Sequence, residues 1–208
     1  MASVSGERIV VIRHGETEWS RTGRHTGRTD VPLTELGEEQ ARALGPALSS
    51  WHPAAVLASP LQRAWRTAEL AGLTGVTPDD DLREWDYGDV EGITTPDWHR
   101  DHPGWSVWTD GAPGGETPAE VGTRADRVLD RARELLHPER PVVLVAHGHL
   151  LRVLGARWLR LGPESGALLR LDPATLSVLG FEHERSVLLR WNAEIHRRTP
   201  GDTHFVGR

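Results

Sequence analysis

Three short stretches of the chain are apolar without interruption. Ile9 to Ile12 is β-branched throughout and has no polar residue to mark a wet face, so it reads as a strand buried on both sides. "AAVLA" (54–58) and "PVVLVA" (141–146) read the same way, and a further strand is predicted near Thr74 to Thr77. Between these runs the apolar spacing lengthens to that of helices. Thr34 is placed to cap a helix reaching about Leu48, with Leu36, Ala41, Leu44 and Leu48 on or near one face. Ser59-Pro60 opens a second, with Ser59 as cap and Pro60 in the first turn, where its missing N–H costs nothing. After Thr117 the residues Val121, Val128, Leu129, Ala132, Leu135 and Leu136 form one stripe opposite arginines and acids. "HLLRVLGARWLRL" continues as a helix, and two late runs, about 175–182 and 186–191, read as a hairpin around "HERS". Residues 14–33 and 79–116 lack periodicity and read as loops.

Strands that alternate with helices predict an α/β fold, a three-layer α/β/α sandwich with a mostly parallel central sheet. A chain of 208 residues fits one such domain, 1–208, with a loop-rich specificity region at about 88–116. In open α/β sheets ligands bind beyond the carboxyl ends of the strands. Three predicted strand exits carry polar groups: Arg13-His14, Ser59-Pro60 leading to Arg63, and His147-Gly148-His149. If those strands are neighbours, the three exits converge on one pocket.

Composition narrows the function classes. Hydrophobic residues at 38% and charged residues at 26% describe a folded globular chain. No apolar run approaches the ~18 residues that span a bilayer, and "MASVSGERIVVIR" does not resemble a signal peptide. A cytoplasmic protein with no membrane partner is therefore expected. With no cysteine, disulfides and thiolate metal sites are excluded. A net charge of −6 gives no general attraction to nucleic acid, and the arginines after Thr117 alternate with acids instead of forming a basic stripe. No nucleic-acid partner is expected, and a homodimer is left open. Every basic residue apart from histidine is arginine, whose forked donors match phosphate oxygens.

Two histidines and two arginines at one sheet edge suit a phosphoryl group, whose transfer depends mainly on positioning and charge stabilisation. A neutral imidazole whose other nitrogen is held by a backbone carbonyl is a competent nucleophile. A phosphohistidine would then split one displacement into two. The leaving alkoxide needs a proton, for which Glu84, Asp86, Asp89 and Glu91 in "LREWDYGDVEG" are the candidates. His147, His149 and His14 lack an accompanying carboxylate motif with metal-ligand spacing, so no metal and no cofactor are expected. His52, His137 and His196 read as surface residues.

Six blocks in order resemble the histidine phosphatase superfamily, which includes phosphoglycerate-mutase-like enzymes: "RHGETEW", "RHTGRTDVPLTELG", "SPLQRAWRTAE", "LREWDYGDVEG", "PGGET" and "LVAHGH". The resemblance implies a phosphoglycerate-mutase-like fold and a phosphorylated small-molecule substrate. It makes His14 the phosphorylated nucleophile, with Arg13, Arg63 and His147 completing the phosphate pocket. Glu84 becomes the proton donor to the leaving group. Ser20, Arg24, Thr26 and Gly27 match loop positions that contact phosphate or substrate. Ser20 stands where mutases commonly carry asparagine. Gly15 and Gly148 would let the backbone pass close to phosphate. Glu91 is expected to order the loop, and Glu16 to orient a neighbouring basic side chain.

The absence of lysine, the sequence "REWDYGDVEG" and the short 92–115 stretch favour a phosphatase over a cofactor-dependent phosphoglycerate mutase. They are most similar to a bacterial branch of acid and sugar-phosphate phosphatases. The alternatives are the mutase and a phosphate-binding module without turnover. Trp98, Trp105 and Trp108 are expected either to line the mouth of the site or to pack the loop onto the body. Arg100 and His102 are expected within reach of a second anionic group.

Overall fold

The computed structural model describes residues 6–194; His196 lies outside them. Strand β1 (Ile9–Arg13) is followed by a one-turn helix α1 (Glu18–Thr22) and by α2 (Glu35–Leu48). Next come β2 (Ala55–Ala58), α3 (Gln62–Leu70) and β3 (Val76–Pro78). Two single-turn helices, α4 (Thr95–Trp98) and α5 (Val107–Asp110), punctuate the irregular stretch before α6 (Pro118–Glu134). The chain continues through β4 (Val142–Ala146) and α7 (Gly148–Trp158) to β5 (Leu176–Glu182) and β6 (Arg185–Ala193).

The six strands form one sheet in the order β3-β2-β4-β1-β5-β6. The first four are mutually parallel, β5 runs antiparallel to β1, and β6 pairs antiparallel with β5. The expected three-layer sandwich follows from the uninterrupted apolar strands. Val10, Ile12, Val143 and Val145 pack against Leu44 and Leu48 of α2 and Ala64 and Ala68 of α3. Ile9, Val11, Val142 and Leu144 face Val128 and Leu129 of α6 and Leu150 and Leu154 of α7. Because side chains alternate along a strand, both faces of β1 and β4 are dry, which leaves no position for a polar residue. Leu144 is fully buried at the centre of this sheet. Leu144→Ala should lower unfolding free energy by about 2–5 kcal/mol, seen as a reduced denaturant midpoint at unchanged slope.

Three local expectations are corrected. Leu36 is half exposed and the buried stripe of α2 starts at Gly37, because Glu16 of the preceding loop presses on that glycine: a Cβ on Gly37 would meet Glu16 O at 2.0 Å. Ser59 does not cap α3, whose N-cap is Leu61 without a side-chain bond; the Ser59 hydroxyl faces His147 instead. The 14–33 stretch contains α1, stabilised by a capping box in which Thr17 and Ser20 exchange side-chain and backbone bonds.

The register sets the site. Arg13 lies opposite Ala146, His14 N donates to Ala146 O at 3.0 Å, and Ser59 N donates to Val145 O at 2.9 Å. The β2, β4 and β1 exits therefore stand side by side, as the polar strand ends require.

Candidate active site

A cleft of about 270 Å³ opens at these strand ends. His14 lines it while remaining only 4% exposed. Its Nδ1 lies 2.7 Å from Gly15 O; a carbonyl oxygen only accepts, so Nδ1 carries the proton and Nε2 keeps its lone pair. Burial, followed by the charges of Arg63 and Arg13, holds the imidazole well below its usual range. The ring is thus biased toward its neutral form.

Arg13 also lines the cleft. Its Nη1 donates to Leu171 O at 2.5 Å, while Nε is buried without a hydrogen-bond partner. A buried donor left unsatisfied is costly, and an anionic oxygen in the cleft would satisfy it. Gly148 explains how the guanidinium fits, since a Cβ there would meet Arg13 Nε at 3.2 Å.

Glu84 lines the cleft from the irregular stretch; Asp86, Asp89 and Glu91 do not. Its Oε1 accepts from Trp85 N at 2.9 Å and Leu150 N at 2.8 Å, and Oε2 accepts from His149 N at 3.0 Å. The carboxyl thus sits on the N-terminus of α7, where free N–H groups favour an acid. Oε1 has both lone-pair directions filled and Oε2 has one left. Glu91 orders the loop, as expected: its carboxylate accepts from Gly27 N and Thr29 N, at 2.9 and 3.0 Å. Asp86 pairs with Arg28 at 2.6 Å.

Arg63 and His147 lie beneath the lining and are fully buried. Arg63 Nε donates to His147 Nδ1 at 3.1 Å, and its Nη atoms donate to the carbonyls of Thr26, Gly27 and Thr29 at 2.9–3.0 Å. One Nη1 hydrogen is left over. Because Arg63 can only donate, His147 Nδ1 is the acceptor, and its Nε2–H donates to Ser59 Oγ at 2.7 Å. The His147 ring meets that of His14 edge-on, with centroids 5.1 Å apart.

Burial holds His147 and His149, like His14, well below the usual histidine range. The linkage has a definite sign. Below about pH 6.5 the unfolded chain takes up protons that the folded chain refuses, so stability falls as pH drops. Each group should contribute a slope of about 1.4 kcal/mol per pH unit until its folded pKa is reached. Denaturant unfolding at pH 7.5, 6 and 5 reads this directly; equal free energies across that series would contradict it.

A family model for the histidine phosphatase superfamily (branch 1) matches residues 9–194. The chain belongs to the histidine phosphatase superfamily. An acid phosphatase of Mycobacterium tuberculosis (strain ATCC 25618 / H37Rv) is 42% identical over 182 residues, covering 86% of this chain and 89% of that protein. A sedoheptulose 1,7-bisphosphatase of Saccharomyces cerevisiae is 34% identical over 186 residues, covering 74% and 68% respectively. The solved structure of an open-reading-frame product from Mycobacterium tuberculosis matches with a TM-score of 0.86 at 41% identity. That match covers 91% of this chain and 98% of that one.

Against what the histidine phosphatase resemblance implied, several residues take other places. Ser20, Arg24, Thr26 and Gly148 do line the cleft. The Ser20 hydroxyl, however, donates to Thr17 O at 3.0 Å and accepts from Thr17 N, so its single proton is engaged in the α1 cap. Gly27 is not a lining residue: a Cβ there would meet Trp85 O at 2.5 Å, so the glycine admits close loop packing. Gly15 likewise makes room for Gly37 O, 2.3 Å from its absent Cβ. Glu16 accepts from Thr34 Oγ1 at 3.0 Å and orients the α2 cap, not a basic side chain.

Trp98, Trp105 and Trp108 all pack against the core and none lines the cleft. Trp105 Nε1 donates to Gly111 O and Trp98 stacks on His102 with centroids 4.0 Å apart. Arg100 pairs with Asp97 at 2.8 Å. The second set of cleft groups comes instead from His25, Tyr87, Thr95, His149 and Arg152. Tyr87 and His149 bond through Oη and Nδ1, and the Arg152 guanidinium lies 4.3 Å from the Trp108 ring centroid. Arg152 had a readable signal: it falls one turn after Gly148, on the same helix face. His52 is exposed and His137 half-buried. Among the described residues no group of three or more His, Asp or Glu side chains is arranged to hold a metal ion, and no helix is long and apolar enough to cross a membrane.

Proposed function

We propose that this chain hydrolyses small-molecule phosphomonoesters, sugar phosphates or similar compounds, through a phosphohistidine on His14. The observation that carries the reading is the His14 tautomer, Nδ1–H on Gly15 O with the Nε2 lone pair left in a cleft. His14 Nε2 attacks phosphorus as the bond to the ester oxygen breaks. The departing alkoxide takes a proton from Glu84, whose Oε2 retains the one unfilled lone-pair direction. Water then attacks the phosphohistidine, giving a proton back to Glu84, and the P–N bond breaks to release inorganic phosphate and neutral His14.

Charge on the phosphoryl oxygens is met by Arg13, through its unpartnered Nε, and Arg63 adds its positive charge from beneath the lining. His147 holds Arg63 in place. Arg24, Arg152, Ser20, Thr26 and the Gly148 backbone surround the rest of the substrate. Among the described residues Glu84 is the sole acid of the lining, so the cleft attracts anions although the whole chain is negative. No cofactor takes part in these steps, and a cytoplasmic setting suits such substrates.

A panel of phosphomonoesters, including sugar mono- and bisphosphates, tests the reading, with phosphate release as the signal. Turnover of at least one small phosphomonoester is expected. Phosphoglycerate interconversion faster than hydrolysis would replace the reading with a mutase. Binding of phosphate without turnover of any ester would leave a binding module.

A further inference from the structure

The backbone that holds the nucleophile is itself held from α2 and α3. Gly15 O, the acceptor of the His14 proton, belongs to the Gly15–Glu16 peptide. The N–H of that same peptide donates to Gln40 Oε1 at 2.8 Å. The preceding peptide donates its Gly15 N–H to Thr67 Oγ1 at 3.1 Å, and the Thr67 hydroxyl donates to Arg63 O at 2.7 Å. Both peptides flanking Gly15 are therefore tied down, each by a side chain outside the cleft lining.

The geometry points to Gln40 as a positioning residue that fixes the His14 tautomer through one peptide unit. Two physical effects act together. With its N–H bonded to Gln40, the Gly15–Glu16 peptide cannot turn its carbonyl away from the imidazole. An amide whose N–H is engaged is also a stronger acceptor at its oxygen, because successive hydrogen bonds polarise one another. Released from that carbonyl, the ring could carry its proton on Nε2 and lose the lone pair that attacks phosphorus. Gln40 touches no reacting atom. It sits half-buried on α2, so replacing it leaves the core intact.

The kinetic side of this inference rests on the phosphohistidine reading, whereas the tautomer can be observed without any turnover. In the full chain labelled with 15N-histidine, His14 of the wild type should show a protonated Nδ1. Gln40→Met should move a fraction of His14 to the Nε2–H form and lower kcat about tenfold, with KM changed less than about twofold. Gln40→Glu, which again offers an acceptor oxygen, should restore both. Wild-type His14 resonances in Gln40→Met would overturn the inference, whether or not kcat falls. A tautomer change in a protein that hydrolyses no phosphomonoester would leave Gln40 in this role and remove the proposed activity instead.

Discussion

His14→Ala should abolish phosphomonoester turnover, with kcat/KM falling on the order of 10⁴-fold or more. The size follows from the role. Of the other imidazoles, His25 also holds Nδ1 on a backbone carbonyl, 2.7 Å from Ile93 O, but its Nε2 lies 3.5 Å from Thr95 Oγ1 and it stands in the loop after α1, not at the β1 exit. His147 has both nitrogens engaged, and His149 Nδ1 is bonded to Tyr87. Rapid quenching of the wild type with 32P-labelled substrate should trap an acid-labile phosphoenzyme that His14→Ala lacks. The same variant should also lose one of the histidines held below the usual range that cause the acid-side fall in stability, flattening that slope. Turnover within tenfold of wild type, or a trapped phosphoenzyme in His14→Ala, would exclude His14 as the nucleophile.

Glu84→Gln should lower kcat by about 10²–10⁴-fold on alkyl phosphates. On an aryl phosphate with a good leaving group the loss should be far smaller, since the departing oxygen hardly needs a proton. That contrast separates chemistry from structure. The glutamine must turn its NH₂ toward one of the three backbone N–H groups that now meet carboxylate oxygens, which costs about 1–3 kcal/mol locally. Such a loss would lower activity on both substrates alike. Equal reductions on the two leaving groups would assign Glu84 to holding α7 and remove it as proton donor.

Both variants act on a site that was only partly readable in advance. Arg13 and His14 were legible because an apolar run that is dry on both faces must end where the sheet ends, and these residues follow at once. His147 was legible for the same reason at β4. Glu84 was one of four acids in "LREWDYGDVEG", chosen there only through the family resemblance; its place in the cleft lining and its contacts with Trp85, His149 and Leu150 separate it from the other three in the structure. The tryptophans show the opposite case. A loop rich in Trp, Asp and Gly looks like a mouth, but Trp98, Trp105 and Trp108 pack on the core. Their places in the lining are taken by His25, Tyr87 and Arg152.

The sequence by itself determined the layers, the strand exits and the Arg13-His14 pair at β1. Period and burial are properties of consecutive residues, so they survive without knowledge of the partner segment. Tertiary structure decided the His14 tautomer, which acid lines the cleft with it, and the withdrawal of Arg63 and His147 beneath the lining. Those outcomes depend on hydrogen bonds between segments far apart in the chain, Arg63 with His147 and Glu84 with α7. A side chain in an aperiodic loop has no direction of its own until such partners are in place.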